Sequence, residues 1–275
     1  MGRLYIVATP IGNLEDISVR AARVLREVKA VVCEDTRETR KLLNHLGAST
    51  PVHSYHAHSS QSDLERLARL LDDGDVAYVT DAGTPGISDP GMHLVGAATS
   101  AGHEVLSVPG PSAVASALAV SGFSGDTFTF LGFLPRKAGE RLAALEEAAG
   151  LGHTLVAFEA PHRLLESLAA MRAALGDRRV AVCRELTKVY EETFRGTLSA
   201  AEKYFTEPRG EFVIVVEGAT GAGRVSDERI AEVLARLRGT GLAGRRLVDA
   251  AREETGAPRS RVYRLAVSGP STGSP

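Results

Sequence analysis

The chain has 275 residues, 44% hydrophobic and 24% charged, enough for a globular protein of two domains at roughly 100–200 residues each. It holds no run of about 18 apolar residues, which excludes a helical membrane span from the expectation. Net charge is −2, so the chain as a whole does not advertise nucleic-acid binding, yet residues 224–275 carry ten Arg against six acidic groups, a local balance of +4. A basic end on an acidic body suits an appended element that meets an anion, and a solvated helix face gives the same count.

In chain order, Leu4–Ala8 reads as the first strand, with no basic n-region, apolar h-region and cleavage site around it. No signal peptide and a cytoplasmic location are therefore expected. Ser18 is a good N-cap for a helix with Val19, Ala22, Leu25 and Val28 at helical spacing. Ala30–Cys33 is a strand, and Thr36–Leu46 a helix stopped by Gly47. Leu64–Leu71 reads as helical, Asp75–Thr80 and Glu104–Val108 as strands, and a helix begins near Ser112. This alternation predicts an α/β fold with an open, mostly parallel sheet covered by helices on both faces.

The Gly/Ser-rich stretch Ser121–Asp126 predicts a domain boundary, with residues 1–121 on one side and 122–220 on the other. In the second unit Thr154–Phe158, Val180–Cys183, Glu191–Arg195 and Phe212–Val216 read as strands and Pro161–Leu175 as a helix. It ends in the Gly-rich linker Glu217–Gly223. Residues 224–267 then change character. Ile230, Val233, Leu234 and Leu237 form one amphipathic face, Leu247, Val248 and Ala251 mark a second helix, and Val262 and Leu265 a third, entered through Pro258. Short helices separated by Gly turns resemble a helix-turn-helix bundle. The tail 268–275 is Gly/Ser/Pro-rich, and disorder is expected there.

Three loops stand out. Asp81–Gly91, DAGTPGISDPG, follows a strand and is richer in Gly and Pro than a connection needs. VPGPSA (Val108–Ala113) and ATPIGNLEDIS (Ala8–Ser18) also follow strands, and the carboxyl ends of parallel strands are where such sheets bind ligands. No P-loop, no G-x-G-x-x-G after the first strand and no G-x-S-x-G elbow occurs. His53, His56 and His58 lie close together without a supporting Cys or Glu, so no metal is expected. Cys33 and Cys183 read as buried free thiols.

With CEDTR (Cys33–Arg37), FLPRK (Phe133–Lys137), FEAPHR (Phe158–Arg163), RELTKVYEE (Arg184–Glu192) and GEFVIVVEG (Gly210–Gly218), these loops form an ordered string of motifs over about residues 3–265. The string closely resembles the ribosomal RNA small subunit methyltransferase I family, an RNA-directed branch of the tetrapyrrole (corrin/porphyrin) methylases. The resemblance implies two α/β domains forming a cleft for S-adenosylmethionine, usually in a homodimer. It implies methylation of a ribose 2′-hydroxyl in 16S rRNA, at cytidine 1402. It also implies cofactor contacts. Gly83, Thr84 and Pro85 occupy the superfamily's G-D-P-type loop, with Thr in place of Asp, and Ile87 lies just beyond. Ser112 and Ala113 match the loop after the next strand, Phe158 and Gly218 the second domain, and Pro10 stands in the first loop.

A ribose 2′-hydroxyl is a very weak acid, so a base or cation must help it lose its proton. Candidates are Asp81, Glu185 and Lys188; a surface salt-bridge network is the plainer reading of RELTKVYEE. Candidate phosphate contacts are Arg37, Arg40, Arg136, Arg163, Arg184, Arg245 and Arg246. Two other functions stay open on the residues alone. A small-molecule tetrapyrrole methylase needs no basic helical end, and a non-catalytic RNA-binding protein needs no cofactor loops.

Overall fold

The computed structural model describes residues 2–55, 61–88, 91–219, 227–257 and 259–268. The chain divides into two compact units, Met1–Ser116 with Glu185–Glu192, and Ala117–Arg184 with Thr193–Pro275. The short segment Glu185–Glu192 thus belongs to the first unit although its neighbours in sequence belong to the second.

The first unit is built on strands β1 (Leu4–Val7), β2 (Ala30–Cys33), β3 (Val52–Ser54), β4 (Val76–Val79) and β5 (Val105–Val108), in the order β3-β2-β4-β1-β5 with parallel pairings throughout. Helices α1 (Val19–Glu27), α2 (Thr36–His45), α3 (Gln61–Asp73), α4 (Met92–Ser100) and α5 (Ala113–Ser121) connect them or follow. The mostly parallel sheet expected from the alternation is what forms. Strand side chains point alternately to opposite faces. Val31, Cys33, Ala77 and Val79 accordingly pack with Leu25, Leu42 and Leu43, while Val32, Val76 and Tyr78 pack with Leu67, Leu71 and Leu94. Both faces are covered, which is why β2 and β4 read as unbroken apolar runs. Ser18 caps α1, its hydroxyl accepting from the Ala21 N–H at 3.1 Å. Gly47, at φ +64°, ends the chain's run through α2.

The second unit carries strands β6 (Phe128–Phe133), β7 (Thr154–Glu159), β8 (Arg179–Arg184), β9 (Glu192–Thr197) and β10 (Phe212–Val216), in the order β6-β7-β10-β8-β9. β6 and β7 are parallel, and β10 is antiparallel to both β7 and β8. Helices α6 (Ala138–Ala148), α7 (Leu164–Leu175) and α8 (Leu198–Tyr204) bury Leu145, Leu164, Leu168, Met171 and Leu198 with Val180, Val182 and Ile214.

Helices α9 (Asp227–Gly239), α10 (Gly244–Thr255) and α11 (Arg259–Ser268) follow, with a core of their own from Ile230, Val233, Leu234, Leu247, Val248, Ala251 and Val262. Arg252 on α10 reaches Glu146 on α6 at 3.8 Å. The expected three helices are all present; Pro258 lies outside the described residues, as does most of the Gly-rich linker.

Five elements were not expected. β3 has three residues, all half-buried, too short for an alternation to show. β6 is broken by a register shift between Phe130 and Phe133, where Gly132 takes φ +64°. The helices α4, α6 and α8 lack a strong polar–apolar period, and α4 reads MHLVGAATS, apolar nearly all round. Among the described residues no helix is long and apolar enough to cross a membrane, and no group of three or more His, Cys, Asp or Glu is placed to hold a metal ion. His53 lies on β3; His56 and His58 lie outside the described residues.

Candidate active site

The carboxyl ends of four adjacent strands of the first unit carry loops that hydrogen-bond to one another. Thr9, after β1, pairs with Gly83, after β4, through Thr9 N–H to Gly83 O at 2.9 Å and Gly83 N–H to Thr9 O at 3.1 Å. The buried Thr9 hydroxyl donates to Thr80 O at 3.1 Å. Thr84 then reaches the loop after β5, its hydroxyl donating to Pro111 O at 3.1 Å. On the other side the Asp81 carboxylate accepts from the Asp35 N–H, after β2, at 3.1 Å. Gly83 takes φ +79° and Gly86 φ +85°, a backbone that a side chain disfavours. The Gly and Pro content of these loops thus serves a bonded network rather than plain connection.

Along this edge Pro10, Gly83 and Pro85 are buried, Thr84, Ser112 and Ala113 half-buried, and Asp81, Gly86 and Ile87 exposed. The Ser112 hydroxyl accepts from the Ala115 N–H at 3.4 Å and starts α5. The Asp35 side chain caps α2 through the Arg37 N–H at 2.7 Å. Arg37 and Arg40, exposed and one turn apart, therefore rise from the same edge. Cys33 at the end of β2 is fully buried, and burial pushes its thiol up from the ordinary value.

The segment Glu185–Glu192 lies on the first of these loops. The Thr187 hydroxyl accepts from the Asn13 N–H at 3.1 Å, and a β-carbon at Gly12 would sit 2.5 Å from Lys188 Cγ. Lys188 Nζ and Glu185 Oε1 are 3.0 Å apart, with the two side chains 28% and 17% exposed. The segment is held in shape by Lys188 N–H to Glu185 O and by the Glu191 carboxylate on the Thr187 N–H. Glu185 and Thr187 both sit at positive φ, +50° and +67°. Glu185 and Lys188 thus pair at i, i+3. Lys188 stands over Gly12, three residues from the Thr9 that binds Gly83, and Asp81 is two residues from Gly83. All three catalytic candidates lie in the first unit.

The remaining candidates belong to the second unit. Phe158, near the end of β7, packs edge-on against Phe130 and Phe133 at 4.9 and 5.6 Å between ring centroids. Gly218 follows β10, which runs antiparallel to β7, with Val213 opposite Phe158. Gly218 is thus about 17 Å along the strand from Phe158, at about 3.4 Å per residue, and the structure does not bring these two together.

Arg163 turns inward. Its guanidinium donates to Leu134 O at 2.6 Å and Pro135 O at 3.1 Å, and lies 3.5 Å from the buried Glu159. It ties the FEAPHR stretch to the FLPRK stretch, and Arg136 beside it is exposed. Arg184 is half-buried and donates to Arg209 O at 2.8 Å. Arg245 and Arg246 are exposed on α10.

Sequence reasoning missed Thr9, Gly12, Asp35 and Thr187 as residues that build the site. Asp35 was accessible as an N-cap just ahead of α2. Thr9 and Gly12 matter through a long-range bridge and a close approach, neither of which leaves a local pattern.

The model of the tetrapyrrole (corrin/porphyrin) methylases matches residues 3–202. The chain is 44% identical over 273 residues to the ribosomal RNA small subunit methyltransferase I of Synechocystis sp., covering 97% of this chain and 98% of that one. It is 45% identical over 237 residues to the protein of the same name from Bacillus subtilis, covering 85% and 81%. Solved structures share the fold at low identity. A diphthine synthase gives a TM-score of 0.60 at 16% identity, covering 96% of this chain and 100% of that one. A cobalt precorrin-4 methyltransferase gives 0.57 at 19%, covering 78% and 94%. The chain belongs to the tetrapyrrole (corrin/porphyrin) methylase family, in the branch of the ribosomal RNA small subunit methyltransferase I proteins.

Proposed function

We propose that this chain methylates the ribose 2′-hydroxyl of a cytidine in 16S rRNA, at position 1402, and that it works as a cytoplasmic homodimer on the small ribosomal subunit. The observation that carries the reading is the bonded set of strand-end loops, Thr9 to Gly83 and Thr84 to Pro111, with Lys188 seated on Gly12 of the first. A relative named ribosomal RNA small subunit methyltransferase I matches 97% of this chain, which supports an rRNA substrate.

The methyl donor is S-adenosylmethionine, which supplies an electrophilic methyl group on a sulfonium. The residues present suit such a compound. The turn at Gly83 leaves the backbone without a β-carbon, Ile87 offers exposed apolar surface, and Thr84, Ser112 and Asp81 offer hydroxyls and a carboxylate. Pro10, Gly83, Thr84, Pro85, Ile87, Ser112 and Ala113 would hold it.

Transfer is an in-line displacement. S-adenosylmethionine held by these loops would supply the methyl group to the 2′-oxygen and leave as the neutral thioether, while the hydroxyl proton goes to a base. Holding the reactants in line supplies much of the rate. The Lys188 ammonium, paired with Glu185, stabilises the developing alkoxide. The exposed Asp81 carboxylate takes the proton. Arg37, Arg40, Arg136 and Arg184, with Arg245 and Arg246 on α10, contact phosphates, while Arg163 acts indirectly by holding the Phe133–Lys137 stretch.

The test is incorporation of labelled methyl from S-adenosylmethionine into small subunits prepared from cells lacking this protein. Label in 16S rRNA, lost on Lys188→Ala, is the expected result. Label in a corrin or porphyrin with none in RNA would overturn the reading in favour of a small-molecule methylase.

A further inference from the structure

Helices α9 to α11 bury their apolar stripes against one another, and Val262 on α11 is fully buried. The next residue, Tyr263, is 61% exposed, and Val267, one turn further on the same face, is 68% exposed. They border a groove of about 440 Å³ whose wall also holds Leu242, Arg238, Arg245 and Arg259. Among the described residues, three guanidinium groups and no carboxylate line it. Asp249 stands nearby and is shared, 3.6 Å from Arg245 and 3.4 Å from Arg259. One carboxylate leaves that pair of arginines with net positive charge, and each guanidinium has five N–H donors to place.

An exposed aromatic ring beside an aliphatic side chain, rimmed by arginines, is the chemistry that takes a nucleobase on its face and the flanking phosphates at the edge. Bases within a duplex are stacked and inaccessible, so the groove selects an unpaired nucleotide.

We propose that the groove between α10 and α11 binds an unpaired RNA base, stacked on Tyr263 against Val267, with Arg245 and Arg259 on the phosphates beside it. The proposal deepens the function proposed above and rests on its RNA substrate. The groove shares no residue with the reacting loops, so its loss weakens capture of RNA and leaves the chemical step unchanged.

The test uses the full chain with a short fluorescein-labelled single-stranded RNA, and with the same sequence as a duplex. Tyr263→Ala should weaken single-strand binding by about 5- to 160-fold, the range for one base lost from an aromatic platform. Tyr263→Phe should retain binding, and duplex affinity should not change. Arg245→Gln with Arg259→Gln should lower the salt dependence, whereas Tyr263→Ala should leave it alone. Val267→Glu, at a second exposed position, should weaken binding if Tyr263→Ala is poorly folded. Wild-type affinity in folded Tyr263→Ala or Val267→Glu would overturn the proposal. So would an equal loss for the duplex, or a change in sedimentation alone, which would make the groove a contact between copies. Methyl transfer to small subunits is measured in parallel. Wild-type transfer with an unchanged KM in Tyr263→Ala overturns the groove alone; no transfer to 16S rRNA by wild type overturns the activity and with it the groove's role in capture.

Discussion

Gly12 and Lys188 are in close contact: a β-carbon at position 12 would lie 2.5 Å from Lys188 Cγ and 2.8 Å from Thr187 Oγ1. These residues are remote in sequence, yet the absence of a side chain at Gly12 is what lets the Glu185–Glu192 segment lie on the loop after β1. Gly12→Ala should push Lys188 and Thr187 away and break the bond from the Asn13 N–H. The expected result is a single-turnover rate at least 10-fold lower. The melting temperature should fall by the few degrees that an overpacked contact of about 1–3 kcal/mol produces. Single-turnover assays and thermal melts on the same samples check both parts.

Lys188→Ala should lower single-turnover methyl transfer by about 10²–10³, the range for removing one positioned electrostatic group. Cofactor and subunit affinities should change little, because the loss falls on the transition state. A rate within about twofold of wild type removes Lys188 from the mechanism, being under 0.5 kcal/mol of barrier. A large loss in Asp81→Asn under the same saturating conditions supports proton transfer to Asp81.

Thr84→Arg should abolish cofactor binding in calorimetry. The new side chain removes the hydroxyl bond to Pro111 O and projects from a half-buried position among the bonded loops. Ser112→Trp should do the same from the neighbouring loop. Unchanged affinity in both folded variants would mean the cofactor lies elsewhere.

Removing residues 224–275 should leave cofactor binding intact and weaken binding to small subunits. The three-helix core and the core of the second sheet are separate clusters, so the truncation exposes little of the remaining interior. Equal subunit affinity and equal salt slope, read by filter binding across a salt series, would assign the helices another role.

Asp75 provides a pH test away from the site, since it precedes β4 at the end opposite the loops. Burial works to raise its carboxyl pKa, but the Arg3 main-chain N–H and guanidinium outweigh that and hold it below the usual carboxylate value. A lowered folded pKa contributes stability that is present above the ordinary carboxylate pKa and is lost as pH falls through the folded value. Asp75→Asn should therefore melt below wild type near neutral pH, with the gap closing as pH falls below the ordinary carboxylate value. Methyl transfer should be unaffected.

Much of the first unit was legible because β2 and β4 are buried on both faces, which writes continuous apolar runs, and because Ser18 and Gly47 mark helix ends. β6 was not, since Gly132 and the shift at Phe130–Phe133 break its alternation. The loops rich in Gly and Pro marked the strand ends, and RELTKVYEE marked Glu185 and Lys188 as candidates. The seating of that pair over Gly12 was hidden, as was the bridge from Thr9 to Gly83. Both depend on contacts between distant segments and on positive φ at Glu185 and Thr187, residues that do not advertise it. Arg163 shows the converse: a motif places it in order along the chain, but packing turns its guanidinium onto Leu134 O and Pro135 O.

The central claim is the site of the methyl group. Small subunits from cells lacking this protein are incubated with it and with S-adenosylmethionine carrying a deuterated methyl, and the nucleosides of 16S rRNA are mapped by mass. The account predicts one labelled cytidine, at position 1402, with the label on the ribose. Label on a base, label on a different nucleotide, or an unlabelled 16S rRNA would contradict it.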